Sequence, residues 1–141
     1  MRTGQDAVKY MWRESAKGTT GFAGWCLKTC RTAWGLPADE RSAIQEWDSI
    51  PNNLKSRKWW LAPAGAPHFW KGGEFGHVAL QSNVKGFVWT TDAPNPDRIG
   101  KVSLFWFRKN WNYKYLGWSK EFQNVVLPVA PVKKKTVKKV K

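Results

Sequence analysis

The chain is poor in cysteine, histidine and acidic residues, and each shortage excludes a class of protein. Its 141 residues include two histidines and two cysteines, and two cysteines are too few for a disulfide framework. No apolar run is long enough to span a membrane, and the opening residues MRTGQDAVKYMW lack the apolar core of a secretory signal. We therefore expect free thiols and a protein that is made in the cytoplasm without a signal peptide.

Basic residues dominate the charge and are concentrated at the C-terminus. The 24 lysines and arginines outnumber the 10 acidic residues and give a net charge of +14. Six of the lysines lie in the last nine residues, within a segment, PVAPVKKKTVKKVK, that has no aromatic residue. Such a composition is typical of disorder. The sequence predicts a folded domain over 1–127 and a disordered tail over 128–141 that attracts an anionic cell-wall polymer, anionic lipid or nucleic acid.

Helical patterns precede strand patterns along the chain. Helices are predicted over Gln5–Ala16, from Cys26 until Gly35, and from Ala38 to the region of Pro51. The later part alternates in short runs with glycine between them, and antiparallel strands are predicted for PHFWKGG, HVALQSNVKG and FVWTTDAPNPD. A short helix in VSLFWFRKNWN and a last strand in YKYLGW complete the pattern. This order predicts the α+β class, with N-terminal helices packed on an antiparallel sheet.

The stretch GWCLKTC, from Gly24 to Cys30, holds both cysteines. Cys26 stands where a helix begins, and the unpaired N–H groups there favour a thiolate, so a lowered pKa is expected. Gly24 allows a tight turn into the helix and leaves space above the sulfur. Cys30 lies one turn further along, on an apolar face, and is predicted to pack in the core. Cys26 is therefore the candidate nucleophile.

A cysteine nucleophile needs a base, and the base needs a residue that orients it. His77 opens the strand HVAL after a glycine and is the candidate base, whereas His68 lies among aromatic residues and is interpreted as packed. Asp92, at the end of the next strand, is the first choice for the orienting residue, and Thr90 is the second. Asp92 is equally well explained as a turn residue before a proline.

The order of these motifs resembles that of a known family. The similarity lies in the order of four stretches: GWCLKTCRTAWG, PAGAPHFWKGGEFGHVALQS, VWTTD and KYLGW. The chain is similar to the papain-like peptidoglycan hydrolases of the NlpC and CHAP type, especially actinobacterial and actinophage lysin domains. The likeness spans residues 21–127. Relatives often have a polar residue directly before the cysteine, where this chain has Trp25.

The resemblance implies a papain-like fold and a cysteine peptidase or amidase that cleaves amide bonds of peptidoglycan. The catalytic residues it implies are Cys26, His77 and Asp92. It requires no metal or organic cofactor. We expect a monomer that acts at the bacterial cell wall after release from the cell, or that is carried in a phage virion.

Other functions remain open. A zinc site from Cys26, Cys30, His68 and His77 has an uncommon spacing, and a redox pair would need two intervening residues where the chain has three. Basic residues interleaved with aromatic ones, as in SRKWW and FWFRKNW, suit a nucleic-acid-binding protein. A catalytically inactive envelope-binding or virion structural protein with the hydrolase fold is the remaining alternative.

Overall fold

The computed structural model describes residues 1–38 and 41–129. Residues 39–40 and 130–141 lie outside the described part, and so does most of the predicted tail. The described residues form a mixed structure of helices and antiparallel strands. The predicted α+β class is confirmed.

Three helices precede the main sheet. The first, α1 (Gly4–Lys17), begins at a capping box between Thr3 and Asp6 and ends at Gly18 in the left-handed conformation. The second, α2 (Cys26–Trp34), ends at Gly35 with a φ of 69°, as the sequence predicts. The third, α3 (Ala43–Ser49), begins later than the expected start at Ala38. That boundary was wrong because Ser42 forms its own capping box with Gln45 and so sets the helix start.

The strands form one large sheet and one small hairpin. Their bounds are β1 (Lys55–Ser56), β2 (Pro67–Lys71), β3 (His77–Gln81), β4 (Phe87–Thr91), β5 (Ile99–Ser103), β6 (Lys114–Ser119), β7 (Glu121–Phe122) and β8 (Val125–Val126). The large sheet has the order β1-β6-β2-β3-β4-β5, and the pairings recorded for it are antiparallel. The strands β2, β3 and β4 form the predicted meander, and β5, which was not predicted, continues it. A short helix, α4 (Trp106–Trp111), lies between β5 and β6, where the sequence predicts one.

Both faces of the central strands are buried, each in its own cluster. Phe69, Val78 and Leu80 pack in a cluster with residues of α1 and α2. Trp70 and Ala79 belong to a second cluster, which contains residues of α4. Because side chains alternate along a strand, neighbouring residues of β3 enter different clusters. The strand β3 is buried along its whole length.

The C-terminal part closes the domain against α3. The buried Glu46 carboxylate accepts hydrogen bonds from the backbone N–H and the side-chain amide of Gln123, at 2.6 and 2.8 Å. Gln123 lies in the turn between β7 and β8, two short strands that follow the segment predicted to be the last strand. Val129 still packs against the first cluster, so the described fold extends past the predicted boundary at residue 127.

Candidate active site

The start of α2 lies at an opening in the large sheet. The ladder between β3 and β4 pairs Leu80 with Trp89 and Gln81 with Val88, near the turn that joins the two strands. At the other end of the two strands the described ladder is not continued, and a side-chain contact between His77 and Thr90 joins the start of β3 to the end of β4. The backbone N–H of Val78 faces the sulfur of Cys26 across this end of β3.

Cys26 is exposed to a groove. It retains partial exposure and lines a cavity of about 560 Å³ between α2 and the start of α3. Trp25 and Phe75, exposed by 54% and 60%, contribute aromatic walls. Gly24, with a φ of 73°, makes the turn into the helix, and a Cβ built on it meets no atom within 4 Å, so the space expected beside the cysteine exists.

The thiol of Cys26 is held in its neutral form. Burial among protein atoms raises its pKa to about 11, because it disfavours the thiolate; the N–H groups of Val78 and Leu27 oppose this effect, and the Asp92 carboxylate adds to it. The expected lowering by the helix N-terminus is therefore wrong. Desolvation by the packed sheet outweighs the few N–H groups that favour the anion.

Cys30 has the predicted packing role. It is 1% exposed and belongs to the first cluster. Its thiol donates a weak hydrogen bond to the Val78 carbonyl at 3.7 Å, and burial raises its pKa. Cys30 is sealed from solvent, whereas Cys26 lines the groove.

The imidazole of His77 is oriented by Thr90. Nε2 of the ring lies 2.6 Å from Thr90 Oγ1, and the hydroxyl of Thr90 donates its proton to the Thr91 carbonyl at 3.1 Å. When the single hydroxyl proton of Thr90 is donated to the Thr91 carbonyl, Oγ1 accepts from His77 and Nε2 carries the ring proton. Nδ1 then has a free lone pair. This is the protonation state that a general base needs.

The ring of His77 lies in the second cluster. Its centroid is 6.0 Å from that of Trp70, 5.0 Å from Phe107 and 5.2 Å from Trp111. His77 is 5% exposed, and burial lowers its pKa to about 3. The imidazole is therefore neutral over the whole physiological range of pH.

Asp92, the first choice as orienting residue, accepts hydrogen bonds from backbone N–H groups instead of from His77. One carboxylate oxygen accepts from the Gly24 N–H at 3.0 Å and the other from the Asp97 N–H at 2.7 Å. Asp97 in turn accepts from the Ala23 N–H at 3.1 Å. The interpretation of Asp92 as the partner of His77 is corrected: Thr90, the second choice, has that position because it shares the face of His77.

Cys26 and His77 approach the opening from opposite faces of the sheet. Cys26 packs with the cluster of α1 and α2, and His77 with the cluster of α4. The sulfur contacts the backbone of Val78, next in sequence to His77. Among the described residues the hydrogen bonds do not include one between this thiol and the imidazole. The structure thus brings the two residues to the N-terminal end of the central strand β3 without pairing them.

His68 is a packed residue, as predicted. It is fully buried, and its two ring nitrogens lie 2.7 Å from the Tyr115 hydroxyl and 2.8 Å from the Gln81 side-chain oxygen. With both nitrogens engaged, His68 has none left for the zinc site considered above. In the part of the chain that the structure describes, no group of three or more His, Cys, Asp or Glu residues is arranged to hold a metal.

Comparison with protein-family models, with curated proteins and with solved structures finds no match to this chain. Within 1–38 and 41–129, none of the helices combines the length and the apolar character needed to cross a membrane.

Proposed function

We propose that this protein is a papain-like cysteine hydrolase that cleaves amide bonds of bacterial peptidoglycan. One observation carries the proposal: Nε2 of His77 lies 2.6 Å from Thr90 Oγ1, which leaves Nδ1 for the base, at the end of β3 whose Val78 backbone faces Cys26 beside the groove. A nucleophile, a base and an orienting residue are the parts that such a mechanism needs.

In the proposed mechanism Nδ1 of His77 takes the proton of the Cys26 thiol as the sulfur attacks the amide carbonyl. Backbone N–H groups at the start of α2 hold the oxyanion. The imidazolium then protonates the leaving amine and the C–N bond breaks. Water attacks the thioester carbonyl while His77 takes its proton, the C–S bond breaks, and the proton returns from His77 to the Cys26 sulfur. Because the thiol and the imidazole both start neutral, proton transfer accompanies the attack.

The proposed chemistry requires the sulfur and Nδ1 to meet across the opening between β3 and β4. Catalytic hydrogen bonds often tighten only when substrate is bound, and the proposed chemistry requires such a movement here. The substrate class is supported by the groove. Its aromatic walls suit a glycan, and Lys28 and Arg31 along α2 suit the carboxylates of stem peptides.

A binding protein without turnover is the second candidate. The raised pKa of Cys26 and the separation of Cys26 and His77 onto opposite faces favour it. In that case the groove binds an envelope polymer and the Cys26 thiol takes no part in a reaction. The two candidates make the same prediction for binding and opposite ones for product release.

Mass spectrometry of muropeptides separates the two candidates. Purified peptidoglycan is incubated with the wild type, with Cys26→Ala and with Cys30→Ala as the matched control. The hydrolase proposal predicts fragments from the wild type and Cys30→Ala, and none from Cys26→Ala; the product masses identify the bond. Sedimentation with peptidoglycan but no fragments from a folded wild type would reject the hydrolase and leave the binding protein.

A further inference from the structure

A second groove lies on a different part of the surface from Cys26. It has a volume of about 660 Å³ and is formed by the segment before β2, by β6 and by the chain after β8. Leu54, Leu61, Trp118 and Val126 give it apolar walls. We call it the Leu61 groove. Neither the resemblance nor the proposed hydrolysis uses it.

Large exposed apolar side chains line this groove and also stand next to it in the sequence, at Trp60. Leu61 and Val126 are 48% and 61% exposed, and Trp60 and Phe105 are 45% and 57% exposed. Trp59 contacts both Trp60 and Phe105, since its ring centroid lies 5.6 Å from that of Trp60 and 5.3 Å from that of Phe105. Several large exposed apolar side chains of this kind mark a site of interaction with a partner or a membrane.

The charge around the Leu61 groove is of one sign. Lys55, Lys58 and Lys120 line it, and its described lining includes no acidic residue. Val129 also lines it, and the sequence after Val129 carries six lysines in its last nine residues. The partner must therefore offer negative charge together with an apolar interior.

We propose that the Leu61 groove and the adjoining Trp60 and Phe105 side chains dock on the surface of an anionic lipid bilayer. Tryptophan prefers the membrane interface, aliphatic side chains enter the boundary of the acyl chains, and lysines bind the anionic headgroups. Single-stranded nucleic acid is the competing anionic partner. It fits less well because Leu61 and Val126 have no π-face on which a base can stack.

The test uses the full chain and sedimentation with large vesicles of phosphatidylglycerol and phosphatidylcholine in equal parts. Trp60→Ala and Leu61→Ala are each expected to lower the partition coefficient about tenfold, since each removes an anchoring side chain. The matched control is Trp12→Ala, which removes an exposed tryptophan of α1 that lines neither the Leu61 groove nor the Cys26 groove, and it is expected to change binding less than about twofold. Circular dichroism verifies that each variant is folded.

Two further measurements vary the lipid composition and replace the vesicles by a single-stranded oligonucleotide. Vesicles of phosphatidylcholine alone are expected to bind the wild type weakly, as is the mixed composition at high salt. Wild-type partitioning by both folded variants would assign vesicle binding to the lysine-rich end alone and overturn the proposal. A single-stranded oligonucleotide whose affinity falls in Leu61→Ala while vesicle binding does not would assign the groove to nucleic acid, with the same consequence.

Discussion

The carboxylate of Asp92 accepts a hydrogen bond from the backbone N–H of Gly24, at 3.0 Å, two residues before Cys26. Its other oxygen accepts from the N–H of Asp97. One side chain at the end of β4 therefore fixes both its own turn and the loop that leads into α2. This contact holds the start of α2 against the sheet, and with it the position of the sulfur.

Replacing Asp92 by Asn tests whether the two hydrogen bonds of this carboxylate, to Gly24 and Asp97, hold the start of α2, an arrangement that we call the Asp92 clamp. The backbone at this position has a φ of 64°, which asparagine also tolerates, so the change isolates the carboxylate. An amide has one oxygen, and its NH₂ group would face an N–H donor. We expect a loss of about 1–2 kcal/mol in the free energy of unfolding and faster alkylation of Cys26.

Urea denaturation and mass-resolved alkylation measure the two effects of Asp92→Asn. The matched control is Asp48→Asn on the exposed side of α3, which should change the stability by less than about 0.5 kcal/mol. Wild-type stability and wild-type alkylation of Asp92→Asn would contradict the role of the clamp.

Thr90 and Thr91 provide a matched pair of adjacent buried hydroxyls. Thr90 accepts from His77, whereas Thr91 Oγ1 has no hydrogen-bond partner among the described residues. Thr90→Val should cost about 1–3 kcal/mol because it leaves the imidazole N–H unpaired. Thr91→Val should be neutral or stabilising, since it removes a polar atom that is already unpaired.

The same pair separates a positioning role of Thr90 from a purely structural one. If Thr90 orients the base, Thr90→Val lowers kcat at least tenfold with little change in KM, and Thr90→Ser restores it. Thr91→Val keeps wild-type kinetics. Equal kcat in folded Thr90→Val and Thr91→Val would remove Thr90 from the proposed mechanism.

The reactivity of Cys26 should rise steeply with pH. Only the thiolate reacts with iodoacetamide, and burial raises the pKa of this thiol to about 11. The rate of alkylation is expected to increase about tenfold per pH unit between pH 7.5 and 9.5. Peptide mapping distinguishes Cys26 from the sealed Cys30. A rate that is already maximal at pH 6 would show that Cys26 is a thiolate paired with an imidazolium, contrary to the neutral pair described here.

Acidification should destabilise the fold through its two buried histidines. Burial lowers the pKa of His77 to about 3 and that of His68 to about 4, whereas a histidine in the unfolded chain binds a proton near pH 6.5. Between these values the unfolded state binds more protons. The free energy of unfolding is therefore highest above about pH 6.5, where both histidines are neutral in the folded and the unfolded chain, and it decreases as the pH falls toward 4.

Urea denaturation at pH 7 and pH 5.5 measures this loss. The free energy of unfolding should fall by about 1 kcal/mol for each histidine over that interval. His68→Gln lowers the stability at pH 7 and should show about half of the pH dependence of the wild type. An unchanged free energy of unfolding at the two pH values would mean that the histidines are not buried in neutral form.

Local signals in the sequence predict much of the fold. Gly35 ends α2 because its backbone is left-handed, and alternating apolar runs correctly predict β2, β3 and β4. The start of α3 was missed because the capping box of Ser42 and Gln45 sets it, and the prediction did not use that motif. The two-residue strands β1, β7 and β8 carry too few residues for a periodic pattern.

The candidate site is less predictable because it depends on tertiary packing. The strand HVAL is buried on both faces, so its sequence pattern does not tell which face holds His77. The choice between Asp92 and Thr90 depends on the register of β3 and β4, and no local motif encodes that register. The pKa of Cys26 depends on how closely the sheet covers α2, whereas the sequence shows only the helix start.

A double-mutant cycle on peptidoglycan hydrolysis tests most directly whether Cys26 and His77 act as one unit. Residues that act together are strongly non-additive. We expect Cys26→Ala and His77→Gln each to lower the rate at least about a thousandfold, and the double variant to be no slower than either single one. Near wild-type hydrolysis by folded His77→Gln, or losses that multiply in the double variant, would contradict the account.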